Sequence, residues 1–335
     1  MRYVPFEHIQ AGMILGRSIL NDNGGILIKD GAAVSDAAMK HISNLGIQGV
    51  YIKDEVVDDI VPEDIVSEKT KNGIYDALAL GDYSRCVALA KTMVSEIKYA
   101  KELTINLVDF KTFKNYEFHH CASVAMYCTV MGYKLGLKEE QLNNLAIAAV
   151  LHDIGKFDVK KRVLNSKKIY DDKQMDEMMK HPMYSYEALK DNPNVSSVSR
   201  NTILFHHENL DGSGYYKVSA EKIGTPARII RIVDTYDALT ATRRHRNAFS
   251  PAAAFRCLAQ DAGKIYDKEL VRTFISTFPM YPLGFKVKLS DGQEVVVVGQ
   301  TEDMERPIVR RQDGSEINLY KSKTYQEETI IEDMI

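Results

Sequence analysis

Residues 145–156 read LAIAAVLHDIGK. An apolar run of helical length ends on His152 and Asp153. A run of this kind belongs in a core, yet an imidazole and a carboxylate carried into a core need partners. The same ligand types return in HHENLDGSGYY, residues 206–216. There His206 and His207 run into a turn that holds Asp211, Gly212 and Gly214.

Working outward, the helical pattern extends from Tyr116 to about Thr277. Six of the nine histidines lie between His119 and His207. His120 stands in YEFHHCASVAMY, His181 in KHPMYSYEAL and Asp234 in RIIRIVDTYDAL. Taken singly, a histidine on an apolar helix is more often a satisfied core residue than a ligand. Taken together, several helices each bring a polar ligand type to an apolar stripe. Burying that many imidazoles and carboxylates without a cation is costly, and a metal centre with mixed N and O donors removes the cost. Neighbouring helical residues point about 100° apart. His152–Asp153 and His206–His207 can each address two ions, or one ion and a bridge. Doubled pairs favour two metals, which at about 3.5–4 Å would activate a bridging hydroxide and clamp a phosphoryl oxygen.

The 335 residues suffice for two or three compact units. Lys and Arg total 43 against 46 Asp and Glu, a net charge of −3. That balance argues against a protein built to coat DNA. The cysteines Cys86, Cys121, Cys128 and Cys257 form no CxxC pair and read as reduced. No apolar run approaches the roughly 20 residues of a membrane span, and the N-terminus lacks a signal-peptide core. The expected location is the cytoplasm.

The fold class read from these patterns is mainly α: a helical bundle with a small N-terminal α/β domain and a C-terminal β-strand extension. Residues 1–57 form the mixed unit, with short strands around an Asn-Gly-Gly turn, then a helix capped by Ser35 and a strand. His8 and His41 there read as ordinary histidines. Residues 58–110 read as an acidic linker and connecting helices. The apolar stripe near 84–108 serves packing or a homodimer contact. Residues 111–280 form the catalytic helical domain, and 281–335 a set of strands with Asp-Gly turns.

HDIGK followed by HHENLDGSGYY, with IVDTYDALTATRRHR as a third block, strongly resembles the HD-GYP family of cyclic dinucleotide phosphodiesterases within the HD superfamily of metal-dependent phosphohydrolases. The resemblance covers Tyr116 to Pro251. It implies an HD-type bundle and metal ligation by His120, His152, Asp153, His181, His206, His207 and Asp234. Asp153 would be the bridging carboxylate. His120 is preferred over His119 because it precedes Val124-Ala125 at the family spacing. Lys156 would reach the scissile phosphate or the leaving oxygen. As candidate substrate contacts, Gly212 and Gly214 allow positive φ and let the chain approach closely, Asp211 fixes the turn, and Tyr215 packs on a base or orients the turn. Arg243 and Arg246 match positions that fork onto phosphate. For Asp234 and Arg243 to face one ligand, their helix must end near Thr240–Thr242. Asp237, three after Asp234, would support the site through hydrogen bonds.

The resemblance implies hydrolysis of cyclic di-GMP to pGpG, with GMP from a second cut, using two divalent ions. Iron or manganese suits the ligand set, with zinc or nickel as alternatives. Another cyclic dinucleotide or a simple nucleotide is a second reading, and a catalytically altered signalling adaptor a third. A di-iron redox protein would use a set of inward-projecting glutamates in Glu-x-x-His motifs, and the sequence shows no such set. The chain also departs from the family. Tyr216 stands where the family has proline, which removes a fixed φ. Tyr116 stands where some members hold a third metal with glutamate. Glu117, one place along, would face elsewhere by about 100°, so two metals are expected. TRRHR replaces an Asp-Arg-Pro-Tyr-Arg type sequence.

Overall fold

The computed structural model describes residues 1–20, 25–45, 47, 49–61, 64–100, 116–160, 163, 170–241 and 248–325. It begins with a small mixed unit. Strand β1 (Arg2–Pro5) pairs antiparallel with β4 (Gly49–Ile52), and β2 (Ile19–Leu20) with β3 (Ile26–Ile28). Helix α1 (Asp36–Leu45) lies between β3 and β4, and Ser35 Oγ accepts from the Ala38 N–H at its start. Val4, Leu15, Ile19, Ile42, Val50 and Ile52 form its separate core. His8 and His41 are exposed.

Helices α2 (Glu68–Leu80) and α3 (Tyr83–Tyr99) follow, separated at Gly81-Asp82. Gly81 takes φ 67° as the C-cap of α2, and Asp82 accepts from Arg85 N to start α3. On α3, Cys86, Val87, Ala90, Met93, Val94 and Ile97 join the same apolar core as the helices beyond. The stripe that suggested a homodimer contact is therefore used for packing within the chain, up to Tyr99. Residues 101–108 lie outside those described.

The centre is α4 (Tyr116–Lys134) against α5 (Glu139–Leu151). Every residue of α4 from His120 to Gly132 is buried, and all of α5 from Leu145 to Leu151. A helix covered on all sides shows little amphipathic pattern, which is why LAIAAVL reads as a continuous apolar run. Around this pair stand α6 (Asp172–Met178), α7 (His181–Leu189), α8 (Ser197–Phe205), α9 (Thr225–Thr240), α10 (Pro251–Gln260) and α11 (Lys268–Thr277). Side chains cap α6, α8, α10 and α11, those of Asp171, Ser196, Ser250 and Asp267. Among the described residues, no helix is long and apolar enough to cross a membrane.

Strands β5 (Lys286–Lys288), β6 (Glu294–Gly299), β7 (Ile308–Arg310) and β8 (Glu316–Asn318) form one antiparallel meander. The Asp-Gly turns leave Gly292 at φ 85° and Gly314 at φ 84°. This sheet does not hang free. Val287, Val295, Val297, Val309 and Ile317 enter the main helical core. Tyr3 of β1 stacks on Phe285 at 4.5 Å, with the planes 7° apart. Arg310 forks onto Asp59 at 2.6 and 2.9 Å. The two ends of the chain thus grip each other beside the helices.

Candidate metal centre

Helix α5 ends at His152, its C-cap, and the backbone turns into a short 3-10 segment, Ile154–Asp158. The turn carries Asp153 into the middle of the bundle. Gly155 makes the turn possible: a Cβ there would meet the His181 carbonyl oxygen at 2.2 Å and Ser185 N at 2.5 Å. Ser185 Oγ accepts from Gly155 N and donates to His152 O, both at 2.8 Å. The His152–Asp153 corner and α7 are therefore fixed to each other by backbone contact.

The seven residues singled out as ligands come together. Asp153 Oδ2 lies 3.2 Å from His152 Nε2 and 3.4 Å from His120 Nε2. Its other oxygen, Oδ1, lies 3.1 Å from His181 Nε2 and 3.8 Å from His206 Nε2. Asp234 Oδ1 is 3.1 Å from His120 Nε2, and Oδ2 is 3.8 Å from His207 Nδ1. Donor atoms of Asp153, His181, His206 and His207 form one group that could hold an ion, and those of His120, His152 and Asp153 another. The Asp153 carboxylate belongs to both. His120, His152, His181 and His206 are at most 1% exposed. His119, the rival in register, is half-buried, with its ring 4.1 Å from that of Tyr75.

The protonation pattern tests whether these residues fit a cation. The Nδ1 atoms of His152, His181 and His206 lie 2.8, 2.8 and 2.6 Å from the carbonyls of Ala149, Met178 and Ile203. A carbonyl only accepts, so each Nδ1 carries the proton, and the neutral ring then presents its lone pair at Nε2. The Nε2 atoms of His181 and His206 then face each other at 3.4 Å. His152 Nε2 and Asp153 Oδ1 are buried without a hydrogen bond. Converging acceptors of this kind repel unless a positive charge stands between them, and the residues fit divalent metal. Burial, with His152 and His181 nearby, holds His206 well below the usual imidazole range, and burial with His206 does the same for His207. Both stay neutral, as ligands must. Burial opposes ionisation of Asp153, but the neighbouring His152, the Lys156 ammonium and the His120 contact outweigh it, and the carboxyl falls well below its ordinary value.

His120 differs from the others. Its Nδ1 lies 2.6 Å from Asp237 Oδ2, the support expected of Asp237. Burial lowers its basicity, but Tyr116 and the bonds to Asp153, Asp234 and Asp237 raise it well above normal. Without an ion, a proton balances these carboxylates. A carboxylate behind a ligating imidazole also fixes the ring and strengthens its donor atom.

Lys156 Nζ lies 2.5 Å from Asp153 Oδ2 and 3.1 Å from Glu117 Oε2. The expectation that Glu117 faces elsewhere is corrected here. The 100° offset applies to the Cα–Cβ direction, and the long side chain swings back through Lys156 to the rim of the site. Tyr116 stacks on His120, 5.7 Å between centroids.

The turn after His207 has distinct parts. Gly212 adopts φ 76° with open space around it, so it is there for its backbone. Gly214 is there for room: a Cβ would lie 2.5 Å from Glu208 Cα. Asp211 Oδ1 accepts from Ser213 N at 3.0 Å and Ser213 Oγ at 2.6 Å, closing the turn. Tyr215 stacks on the His207 ring at 4.4 Å and stands edge-on to His181 at 6.1 Å, walling the site. Glu208, which the sequence reading passed over, is 3% exposed and accepts from the N–H groups of Tyr216 and Val218 at 2.7 and 2.8 Å. A proline at 216 would have no N–H to give. The stiffness lost with proline is replaced by hydrogen bonds.

Helix α9 ends at Thr240, with Ala241 extended, as the face argument for Asp234 and Arg243 requires. Arg243 and Arg246 themselves lie outside the described residues. Arg231, not singled out from sequence, stands one turn before Asp234. Its guanidinium is held by Asn209 Oδ1 at 2.9 Å and Thr235 Oγ1 at 2.6 Å, over the Tyr266 ring. Its spacing of three from Asp234 puts both on one helical face, a signal the sequence did contain.

A helical bundle with a buried carboxylate set between two groups of histidines defines a candidate centre for divalent metal. The chain belongs to the HD domain family, whose model matches residues 83–270. It is 31% identical over 197 residues to a cyclic di-GMP phosphodiesterase of Pseudomonas aeruginosa, covering 58% of this chain and 47% of that protein. It is 29% identical over 188 residues to the cyclic di-GMP phosphodiesterase PdeB of Borreliella burgdorferi, 55% of this chain and 48% of the relative. The 3'3'-cGAMP-specific phosphodiesterase 2 of Vibrio cholerae is 28% identical over 186 residues, 55% and 36%. The chain spans less than half the length of each of these relatives.

Proposed function

We propose that this chain is a phosphodiesterase that opens cyclic di-GMP to pGpG, with GMP as the product of a second cut, at a centre of two divalent ions. The observation that carries the reading is the position of Asp153, one carboxylate oxygen toward His120 and His152 and the other toward His181 and His206. His120, His152, Asp153 and Asp234 would hold one ion, and Asp153, His181, His206 and His207 the other. Iron or manganese suits this mixture of imidazole and carboxylate, with zinc and nickel as alternatives. When bound, such ions supply an activated water and neutralise charge on the phosphoryl group.

The protein's own side chains do the rest. Burial disfavours the charge on Lys156, yet Asp153, Glu117 and Asp234 hold its ammonium protonated well beyond the usual lysine range. A charge kept so firmly can bind a phosphoryl oxygen in the transition state without surrendering its proton. Tyr215 covers one side of the histidine group and limits water. Arg243 and Arg246 remain proposed phosphate contacts. The four cysteines are free, in keeping with a reducing compartment such as the cytoplasm.

A second substrate reading has support of its own, since a cGAMP-specific enzyme is among the relatives. The test is turnover of cyclic di-GMP, 3'3'-cGAMP and cyclic di-AMP by protein loaded with Fe²⁺ or Mn²⁺, with products separated by chromatography. Release of pGpG by wild type and not by Asp153→Asn supports the proposal. Tight binding of a cyclic dinucleotide with no cleavage under any metal would make the chain a signalling adaptor and end the enzymatic reading.

A further inference from the structure

The helix that carries His181 begins without a cap of its own. Its N-cap residue is Lys180, which makes no side-chain capping bond, and Pro182 stands in the first turn. The first N–H groups of a helix have no partner inside it, and Pro182 has no N–H. Met183 donates its N–H to the hydroxyl oxygen of Tyr216, at 3.2 Å. That hydroxyl in turn donates to the Met179 carbonyl, at 3.3 Å. The cap of α7 therefore comes from a residue 33 positions further along the chain.

Tyr216 is fixed at its other end as well. Its N–H donates to Glu208 Oε1 at 2.7 Å, and Glu208 directly follows His207. One residue thus ties the start of α7, where His181 is the first helical position, to the segment that carries His206 and His207. Those three histidines and Asp153 make up one of the two ligand groups. The rings of the other group are held elsewhere, His120 by Asp237 and His152 by the Ala149 carbonyl.

We propose that Tyr216 is a positioning residue for one half of the centre: its hydroxyl, by capping α7 from across the site, sets the spacing of His181 from His206 and His207 and so the hold on the ion they share. The inference rests on the reading of these residues as a metal centre. Partners that orient metal ligands change affinity by about 10–100-fold when removed, and a single hydroxyl contact belongs at the lower end of that range.

The test compares wild type with Tyr216→Phe, which keeps the ring and the N–H to Glu208 and removes only the hydroxyl. Both are loaded with Mn²⁺ and challenged with a chelator. Retained metal is counted by elemental analysis, and coupling between ions is followed by electron paramagnetic resonance. The expected result is that wild type keeps a coupled pair, while the variant gives up one ion roughly tenfold more readily and the remaining ion shows an uncoupled signal. An unchanged second ion in the variant overturns the inference and leaves the metal centre standing. A variant that loses both ions together, or whose metal-free form melts well below wild type, assigns the hydroxyl to global folding and overturns it too. Wild type that takes up no ion pair overturns both the centre and the inference.

Discussion

Gly155→Ala makes the sharpest demand on the geometry. A Cβ at 155 would lie 2.2 Å from the His181 carbonyl oxygen, 2.5 Å from Ser185 N and 2.8 Å from Tyr184 Cβ. Two of the three atoms are backbone, so no side-chain rotation relieves the contact. Real Cβ contacts do not fall below 3.0 Å, so α7 and the His152–Lys156 corner must separate by at least 3.0 − 2.2 = 0.8 Å. Forced insertions into a packed interior cost about 1–3 kcal/mol. For a chain of 335 residues, with an unfolding entropy of about 2.1 cal/mol/K per residue, that is about 1.5–4 °C in melting temperature, at about 1.4 °C per kcal/mol. The sign is informative. Gly155 is not in a left-handed conformation, so in open space the same change would stabilise by about 0.4–1 kcal/mol through the unfolded chain. His181 moves with α7, and a displacement near 1 Å at a reacting centre costs on the order of 10²-fold in rate. The assays are thermal melting of metal-free protein, metal content after loading, and cyclic di-GMP turnover. The expected outcome is a lower melting temperature, weaker metal retention and strongly reduced turnover. A variant that melts at or above wild type and turns over normally would refute the backbone contact between the His152–Asp153 corner and α7.

Three further changes probe separate parts of the molecule. Asp153→Asn should strip metal from both ligand groups together and abolish turnover, and elemental analysis showing one ion still in place would remove its role as a shared ligand. Lys156→Met should retain both ions and lower kcat by about 10²-fold, the usual loss of one transition-state donor; wild-type kcat would show that the ammonium only balances Asp153 and Glu117. Phe285→Ala removes the ring stacked on Tyr3 and should cost about 3–5 kcal/mol in denaturant unfolding, with metal content unchanged in the folded fraction. A midpoint equal to wild type would mean that the clasp between the chain ends adds no stability.

The sequence by itself marked out the candidate ligands, with His120 chosen over His119 through the resemblance to the HD-GYP family. His152 and Asp153 at the end of an all-apolar run, and His206 and His207 before a glycine turn, are chemically conspicuous because ionisable groups have no cheap place in a core. It also led to a helix end near Thr240, where α9 stops, because the resemblance asks Asp234 and Arg243 to face one ligand and one straight helix would put them on opposite faces. Only the tertiary structure decided which partner each side chain takes. Glu117 returns to the site through Lys156, because a long side chain can undo the direction its helix position implies. Glu208 looks like one more surface carboxylate in the string HHEN, and becomes a buried clamp because the turn folds its N–H groups back over it. Tyr216 reads as a lost proline, and the gain of a helix cap is visible only once α7 lies beside it. The stripe on α3 suited either a second chain or the chain's own core, and its burial against α4 and α5 chose the core. Local pattern records what a residue is able to do; contacts between segments far apart in sequence depend on how helices pack, and that is fixed by the whole core at once.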